Sequence, residues 1–167
     1  MDRRIQYESQ MEREILTILE NSQKVVFFNV QPFKIPYYYF KQRNYIPDIF
    51  FVLEDGRGAV IEVKPRFHMV LELNLQKYNN LKRYCEENGY GILVTDGGTS
   101  MKEFITYEYN KVFEEELFQR LKKGPILWRG LSILKTKHII GYRDIASIVA
   151  KNNWIYRQDP FVIALRS

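Results

Sequence analysis

The sequence is poor in cysteine and has no long apolar run, and these two features exclude several classes of protein. Its single cysteine, Cys85, excludes an internal disulfide and a cysteine-based zinc cage. No stretch approaches the ~20 consecutive apolar residues of a membrane helix, and the first residues lack the apolar core of a signal peptide. No glycine-rich phosphate loop stands out either. We therefore expect a cytoplasmic protein with no membrane partner.

Positive charge is concentrated near the end of the sequence. The chain has 167 residues, enough for one domain with a short appendage, and a formal net charge of +5. Residues 120–167 contain ten Lys and Arg but only Asp144 and Asp159 as acids, whereas residues 1–119 have a small excess of acids. A polyanion such as DNA would be attracted to the basic end. The alternative, a tail that is merely soluble, stays open.

The apolar pattern predicts an α/β fold with a mixed sheet. Its order is a helix, a three-stranded meander, a second helix and a further strand, followed by flanking helices. The predicted helices cover residues 7–21, 73–88, 100–123 and 142–151, and the predicted strands cover 25–30, 34–40, 47–53, 59–64 and 90–95. Arg43-Asn44 is predicted as a turn, and Asp55-Gly56-Arg57-Gly58 as the turn of a hairpin.

Two short motifs at one end of that hairpin carry the chemistry. Pro47-Asp48 opens one strand, and Glu62-Val63-Lys64 ends the next. Because residues i and i+2 of a strand project from the same face, Glu62 and Lys64 point together, and the hairpin brings Asp48 beside them. Two carboxylates can hold Mg²⁺, while a lysine stabilises the charge on a phosphodiester undergoing hydrolysis. In the alternative interpretation, Pro-Asp is an ordinary turn and Glu-x-Lys a solvated strand face.

The first predicted helix offers a third carboxylate. Glu12 lies within the sector marked by the apolar residues Ile15 and Leu19. An acid on the core-facing side of a helix can reach a site on the sheet, so Glu12 is the expected third ligand. Alternatively, Ser9 caps the helix and Glu12 completes its capping box.

Other residues are weaker candidates for contacts with DNA. Gln76, Lys77 and Lys82 lie on the second predicted helix, and Lys122, Lys123, Lys135 and Lys137 lie at the basic end. Both sets could contact phosphates, although a solvated surface explains them equally well. Tyr37-Tyr38-Tyr39 could stack on bases, but tyrosines in a strand usually pack against a sheet.

These segments resemble the PD-(D/E)xK nucleases, the restriction-endonuclease-like superfamily, and most closely the N-terminal catalytic domain of TnsA-type transposon endonucleases. The likeness covers about residues 7–95 and rests on four segments: SQMEREIL from Ser9, VQPFKI from Val30, NYIPD from Asn44 and IEVKP from Ile61. It implies a restriction-endonuclease-like core. TnsA has a glutamine at the position of Glu62, where this sequence keeps the general superfamily pattern.

The resemblance also implies a function and a set of site residues. By position, Glu12, Asp48 and Glu62 would be metal ligands, and Lys64 the catalytic lysine. The family implies cleavage of DNA with Mg²⁺, for which Mn²⁺ can substitute, at one end of a transposon and together with a transposase. Cutting both strands with one site per chain would need a homodimer or a partner. Two alternatives stay open: a structure-selective nuclease such as a Holliday-junction resolvase, and a non-catalytic nuclease fold that binds DNA or assembles with other proteins.

The likeness does not extend over the last part of the chain. We expect a nuclease domain over residues 1–123 and a small basic appendage over 124–167, packed on the core. A helix followed by two short strands is the order found in winged helices, so the appendage is expected to be winged-helix-like.

Overall fold

The computed structural model describes residues 9–166. Within this range the chain forms six α-helices, one 3₁₀ helix and eight strands. In chain order they are α1 (Gln10–Asn21), β1 (Val25–Val30), β2 (Ile35–Tyr39), β3 (Lys41–Tyr45), β4 (Ile49–Leu53), β5 (Gly58–Val63), the 3₁₀ helix (Arg66–Val70), α2 (Glu72–Asn88), β6 (Gly91–Thr95), α3 (Met101–Thr106), α4 (Lys111–Leu121), α5 (Trp128–His138), α6 (Tyr142–Asn152), β7 (Ile155–Gln158) and β8 (Phe161–Ala164). Two compact units result, one of residues 9–66 and 76–100 and one of 67–75 and 101–166.

The first unit contains a mixed four-stranded sheet in the order β1-β4-β5-β6. The pairs β1–β4 and β4–β5 are antiparallel, and the turn at Asp55-Gly56 requires this for the second pair. β6 lies parallel to β5, because α2 carries the chain back to the same end of the sheet. The α/β class and the mixed sheet are thus confirmed, and the meander consists of β1, β4 and β5.

Helix α1 packs on one face of this sheet. Ser9 accepts a hydrogen bond from the backbone N–H of Glu12 and so begins the helix. Its apolar side chains form one core with alternate residues of β4 and β5: Ile15, Leu16, Leu19, Ile49, Ile61 and Val63. Since side chains alternate along a strand, Phe50 and Glu62 project from the other face. The helix was predicted from residue 7, but residues 7 and 8 lie outside the described part of the chain.

A separate two-stranded hairpin, β2–β3, is inserted between β1 and β4. The prediction of a turn at Arg43-Asn44 is wrong, because both residues lie in β3 and pair with Tyr37 and Pro36. The turn falls instead at Phe40, which has a φ of 57°, in the left-handed region. A turn at a non-glycine residue lacks the composition by which turns are recognised in a sequence.

The second unit consists of helices and a small hairpin. The prediction of one helix over residues 100–123 is wrong: α3 ends at Thr106, and α4 begins after Asn110, whose side chain accepts from the backbone N–H of Phe113. α3 packs against α6, and Ile126 forms a backbone pair with Ile163 of β8. None of the helices described is long and apolar enough to cross a membrane.

We expect the core between α1 and the sheet to dominate the stability of the first unit. Ile49→Ala removes a side chain that is 0% exposed and should lower the free energy of unfolding by about 2–5 kcal/mol. Ile18→Ala is the matched control, since Ile18 is 63% exposed on α1, and should change it by about 0.5 kcal/mol or less. Urea denaturation should be followed by circular dichroism, because both tryptophans, Trp128 and Trp154, lie in the second unit. Equal losses in the two variants would contradict this packing.

Candidate functional site

Asp48 and Glu62 lie together at one end of the antiparallel pair β4–β5. Asp48 directly precedes β4, and Glu62 follows Ile61, the partner of Ile49. Both carboxylates are withdrawn from solvent, since the side chain of Glu62 is 1% exposed and that of Asp48 18% exposed. The sequence places these acids by register alone, because the hairpin turn fixes which residues of the two strands face one another.

Lys64 holds the two acids together. Its Nζ lies 2.7 Å from Glu62 Oε1 and 3.2 Å from Asp48 Oδ2, and it donates a hydrogen bond to the carbonyl oxygen of Val63 at 2.9 Å. Asp48 Oδ2 also accepts from the backbone N–H of Val63 at 2.7 Å. One ammonium is therefore surrounded by three oxygen atoms, two of them from carboxylates.

Tyr45 supplies the second partner of Glu62. Its hydroxyl donates a hydrogen bond to Glu62 Oε2, so both oxygens of this buried carboxylate have a partner. Tyr45 is itself buried, at the end of β3. Sequence reasoning missed Tyr45, because the strand that positions it was predicted as a turn. A tyrosine three residues before the aspartate is no signal by itself.

The electrostatics of the cluster are those of two acids that share one cation. Burial raises the pKa of Glu62, and the neighbouring charge of Asp48 adds to this, against the attraction of Lys64. Burial likewise raises the pKa of Asp48, whereas Lys64 and the Val63 N–H act in the opposite direction. For Lys64, burial alone would lower the pKa, but the charges of Glu62 and Asp48 raise it, so the ammonium stays protonated. When both acids are ionised, their two negative charges exceed the one positive charge of Lys64.

Glu12 lies near this cluster but is engaged in the helix cap. Ser9 Oγ accepts from the Glu12 N–H at 3.2 Å and donates to Glu12 Oε1 at 3.0 Å. The charge of Glu12 nevertheless contributes to the raised pKa of Asp48. Over residues 9–166, no three His, Cys, Asp or Glu side chains are grouped closely enough to hold a metal ion. The structure thus joins Asp48, Glu62 and Lys64, and leaves Glu12 within electrostatic reach.

The comparison with known families bears on this same stretch. Residues 22–95 match the family model described as TnsA-like endonuclease N terminal. This stretch is a TnsA-type nuclease-like domain. The match contains Asp48, Glu62 and Lys64 and begins after Glu12. No curated protein matches the chain.

Two further residues of the TnsA-like domain, Lys77 and Tyr78 of α2, face the cluster. Lys77 Nζ lies 5.6 Å from the centre of the Tyr45 ring. Burial lowers its pKa, and the charges of Glu62 and Asp48 oppose that shift. The Tyr78 hydroxyl is buried and has no hydrogen-bond partner among residues 9–166. Burial raises its pKa, as do the charges of Glu62 and Asp48. Tyr78 was missed, since a helical tyrosine reads as ordinary core.

The other predicted DNA contacts are dispersed. Gln76 is half-buried and its carbonyl accepts from Asn80, while Lys82 is exposed and pairs with Glu86 at 3.7 Å. In the second unit, Lys122 lies over the Phe118 ring, Lys123 is exposed, Lys135 lies over the Trp128 and Tyr142 rings, and Lys137 pairs with Glu116 at 2.6 Å. Several of these cations therefore already have partners within their own unit.

The oxygens around the Lys64 ammonium form a donor set that suits a hard divalent cation. Carboxylate and carbonyl oxygens are the ligands that such ions prefer, whereas softer ions favour sulfur and imidazole. Asp48, Glu62 and the carbonyl of Val63 supply only oxygen, and they already surround a positive charge. The donor atoms are therefore of the kind that a hard cation prefers, and Asp48 and Glu62 are the side chains that would hold one.

We expect the Tyr45 hydroxyl to stabilise the buried Glu62 carboxylate. Tyr45→Phe leaves one buried carboxylate oxygen without its donor and should lower the free energy of unfolding by about 1–3 kcal/mol. Tyr38→Phe is the matched control on the same hairpin, because Tyr38 is 73% exposed. Its effect should not exceed about 0.5 kcal/mol. Urea denaturation in EDTA measures both, and an unchanged stability of Tyr45→Phe would contradict the contact.

Proposed function

We propose that the protein is a metal-dependent DNA endonuclease that hydrolyses phosphodiester bonds through Asp48, Glu62 and Lys64. The observation that carries this proposal is the cluster itself: the buried carboxylate of Glu62 and the largely buried carboxylate of Asp48, both within 3.2 Å of Lys64 Nζ, inside a TnsA-like endonuclease domain. Burying two acids side by side is unfavourable unless a cation compensates them. A catalytic role therefore explains the presence of both acids better than a contribution to the stability of the fold does.

The roles of the residues follow from their contacts. Asp48 and Glu62 would hold the cation, for which Mg²⁺ is our proposal and Mn²⁺ a substitute. When bound, such an ion lowers the pKa of a water molecule and neutralises charge on the phosphate. Tyr45 fixes the orientation of Glu62 through its hydroxyl. Lys64 is protonated and stabilises the negative charge that develops on the scissile phosphate.

The family resemblance suggests the setting in which this cleavage occurs. We propose that the substrate is DNA at an end of a mobile element and that a transposase or another element-encoded protein is the partner. Because residues 9–166 contain one such cluster, cutting both strands would need a homodimer or that partner. A restriction-endonuclease-like core is the fold proposed for the catalytic unit, supported by α1, the meander β1-β4-β5, α2 and β6 in this order.

A winged-helix-like appendage is proposed for residues 124–167. The support is the order of α5, α6 and the β7–β8 hairpin, with the backbone pair of Ile126 and Ile163 joining the segment before α5 to β8. The centre of α6 is buried over residues 145–149. Its middle therefore has no free face for a DNA groove, and any contact with DNA would fall to its ends or to lysines such as Lys123.

Asp48→Asn should abolish nicking of supercoiled plasmid in Mg²⁺, with a loss of at least about a hundredfold, because a ligand charge is removed at the cluster. Lys64→Ala should cause a similar loss, because it removes the positive charge that stabilises the negative charge developing on the scissile phosphate. Asp55→Asn is the matched control: Asp55 is exposed at the β4–β5 turn and should keep full activity. The reaction is followed on agarose gels with and without EDTA.

The same reactions separate the competing functions. Cleavage by Asp48→Asn at the wild-type rate would show that the chemistry lies elsewhere. Wild-type protein that shifts DNA in gels but never cuts it in Mg²⁺ or Mn²⁺ would instead be a non-catalytic binding module. Preferential cutting of four-way junctions over linear duplex would identify a junction resolvase.

Glu12→Gln tests whether Glu12 acts as a third ligand or only as a cap residue. Glutamine also completes a capping box, so the free energy of unfolding should change by no more than about 0.5 kcal/mol. If Glu12 contributes to the metal site, nicking should fall roughly tenfold or more, and the rise of the thermal midpoint caused by Mn²⁺ should shrink. If the nicking rate and the Mn²⁺-induced rise of the thermal midpoint both equal those of the wild type, Glu12 acts only as a cap residue. Glu14→Gln, an exposed neighbour on the same helix, is the control.

A further inference from the structure

The β2–β3 hairpin has a composition unlike the rest of the first unit. Between Gln31 and Pro47 there is no acidic residue, while Lys34, Lys41 and Arg43 are all exposed cations. This contrasts with the small acidic excess of residues 1–119 as a whole. A segment without acids in an acidic surrounding presents a local positive field to an anionic partner.

The two cations of β3 lie in line with the candidate active site. Tyr45, Arg43 and Lys41 share one face of the strand, because they are separated by two residues each. Tyr45 contacts Glu62, so the cations follow at steps of roughly 7 Å outward from the cluster. Arg43 is also close enough to Lys77 for its charge to lower the pKa of that lysine. Exposed cations therefore extend along β3 from beside Tyr45 to the hairpin tip.

The tip and the other face carry groups suited to sugars and bases. Tyr38 and Phe40 are 73% and 74% exposed, which is uncommon for aromatic side chains of a soluble protein. Gln42 lies opposite Tyr38 and Asn44 opposite Pro36, and both amides are exposed. In a duplex, aromatic rings make apolar contacts with sugars and thymine methyl groups, and amides hydrogen-bond to base edges.

We propose that the β2–β3 hairpin binds the duplex DNA substrate beside the scissile phosphate, with Lys41 and Arg43 on phosphates and Tyr38 and Phe40 against sugars or bases. A two-stranded ribbon is one of the elements that the major groove admits. A protein partner is less well matched, since three cations without any acid would leave the hairpin uncompensated in most protein interfaces. This inference rests on the proposed nuclease function, because it places the DNA at the same cluster.

The test is binding of the full-length protein to a fluorescently labelled mixed-sequence duplex in EDTA, where no cleavage occurs, over a series of salt concentrations. Lys41→Ala combined with Arg43→Ala should weaken binding and reduce the slope of log K against log salt by about 2, one unit for each lost phosphate contact. Phe40→Ala should weaken binding severalfold and leave the slope unchanged, because an apolar contact with a sugar or a thymine methyl group releases no counterion.

The matched control is Lys24→Ala combined with Arg57→Ala, which removes the same charge at the opposite end of the sheet. It should bind as the wild type does. Equal effects of the two double variants would overturn the proposal, since net charge alone would then explain them. Hairpin variants that bind normally but change the oligomeric state would also overturn it and assign the hairpin to self-association.

The outcome also distinguishes this inference from the function on which it rests. Wild-type protein that cuts plasmid while the hairpin variants bind DNA normally would leave the nuclease proposal standing and reject the hairpin. Wild-type protein that neither binds nor cuts DNA would reject both. Circular dichroism checks that each variant is folded, and the exposed positions of Lys41, Arg43 and Phe40 make loss of the fold unexpected.

Discussion

The burial of Glu62 beside Asp48 is the constraint on which the rest of the first unit depends. Removing a carboxylate from water costs several kcal/mol even after relaxation, and a second acid nearby increases that cost. Lys64 and Tyr45 compensate it, each bonding a different oxygen of Glu62. Such an arrangement stabilises the fold little compared with apolar residues of the same size. Under the proposed function, it persists because it keeps two carboxylates and a lysine in one place for catalysis.

The register of the sheet fixes the positions of these side chains. Asp48 and Glu62 meet only because β4 and β5 pair in the register Ile49 with Ile61. A slip by one residue would turn Glu62 into the apolar core under α1 and bring Val63 to the site. The packing of α1 against Ile49, Ile61 and Val63 therefore excludes the alternative register. The core on one face of the sheet thus fixes the position of Glu62 on the other face.

The parts of this architecture that follow from local patterns were predictable. The alternation in β4 and β5 and the turn at Asp55-Gly56 were sufficient to place Asp48, Glu62 and Lys64 together. The contribution of Tyr45 was not, because it depends on a hairpin whose turn lies at a phenylalanine and whose second strand is polar. Tyr78 shows the same limit, since its position depends on how α2 meets the sheet. The break between α3 and α4 was missed because Asn110 was read as part of a continuous helix.

The cations that are exposed and have no acid nearby in the sequence are not concentrated where the composition of the chain suggests. By composition the chain has an acidic body and a basic end, which favours a division between metal chemistry in the first and DNA contact in the second. In the structure, however, Lys137 is paired with Glu116, and Lys122 and Lys135 lie over aromatic rings. Lys41 and Arg43, by contrast, are exposed on a segment without acids. A polyanion responds to the local electric field at the protein surface, so the few exposed cations of the β2–β3 hairpin can matter more than a larger surplus elsewhere.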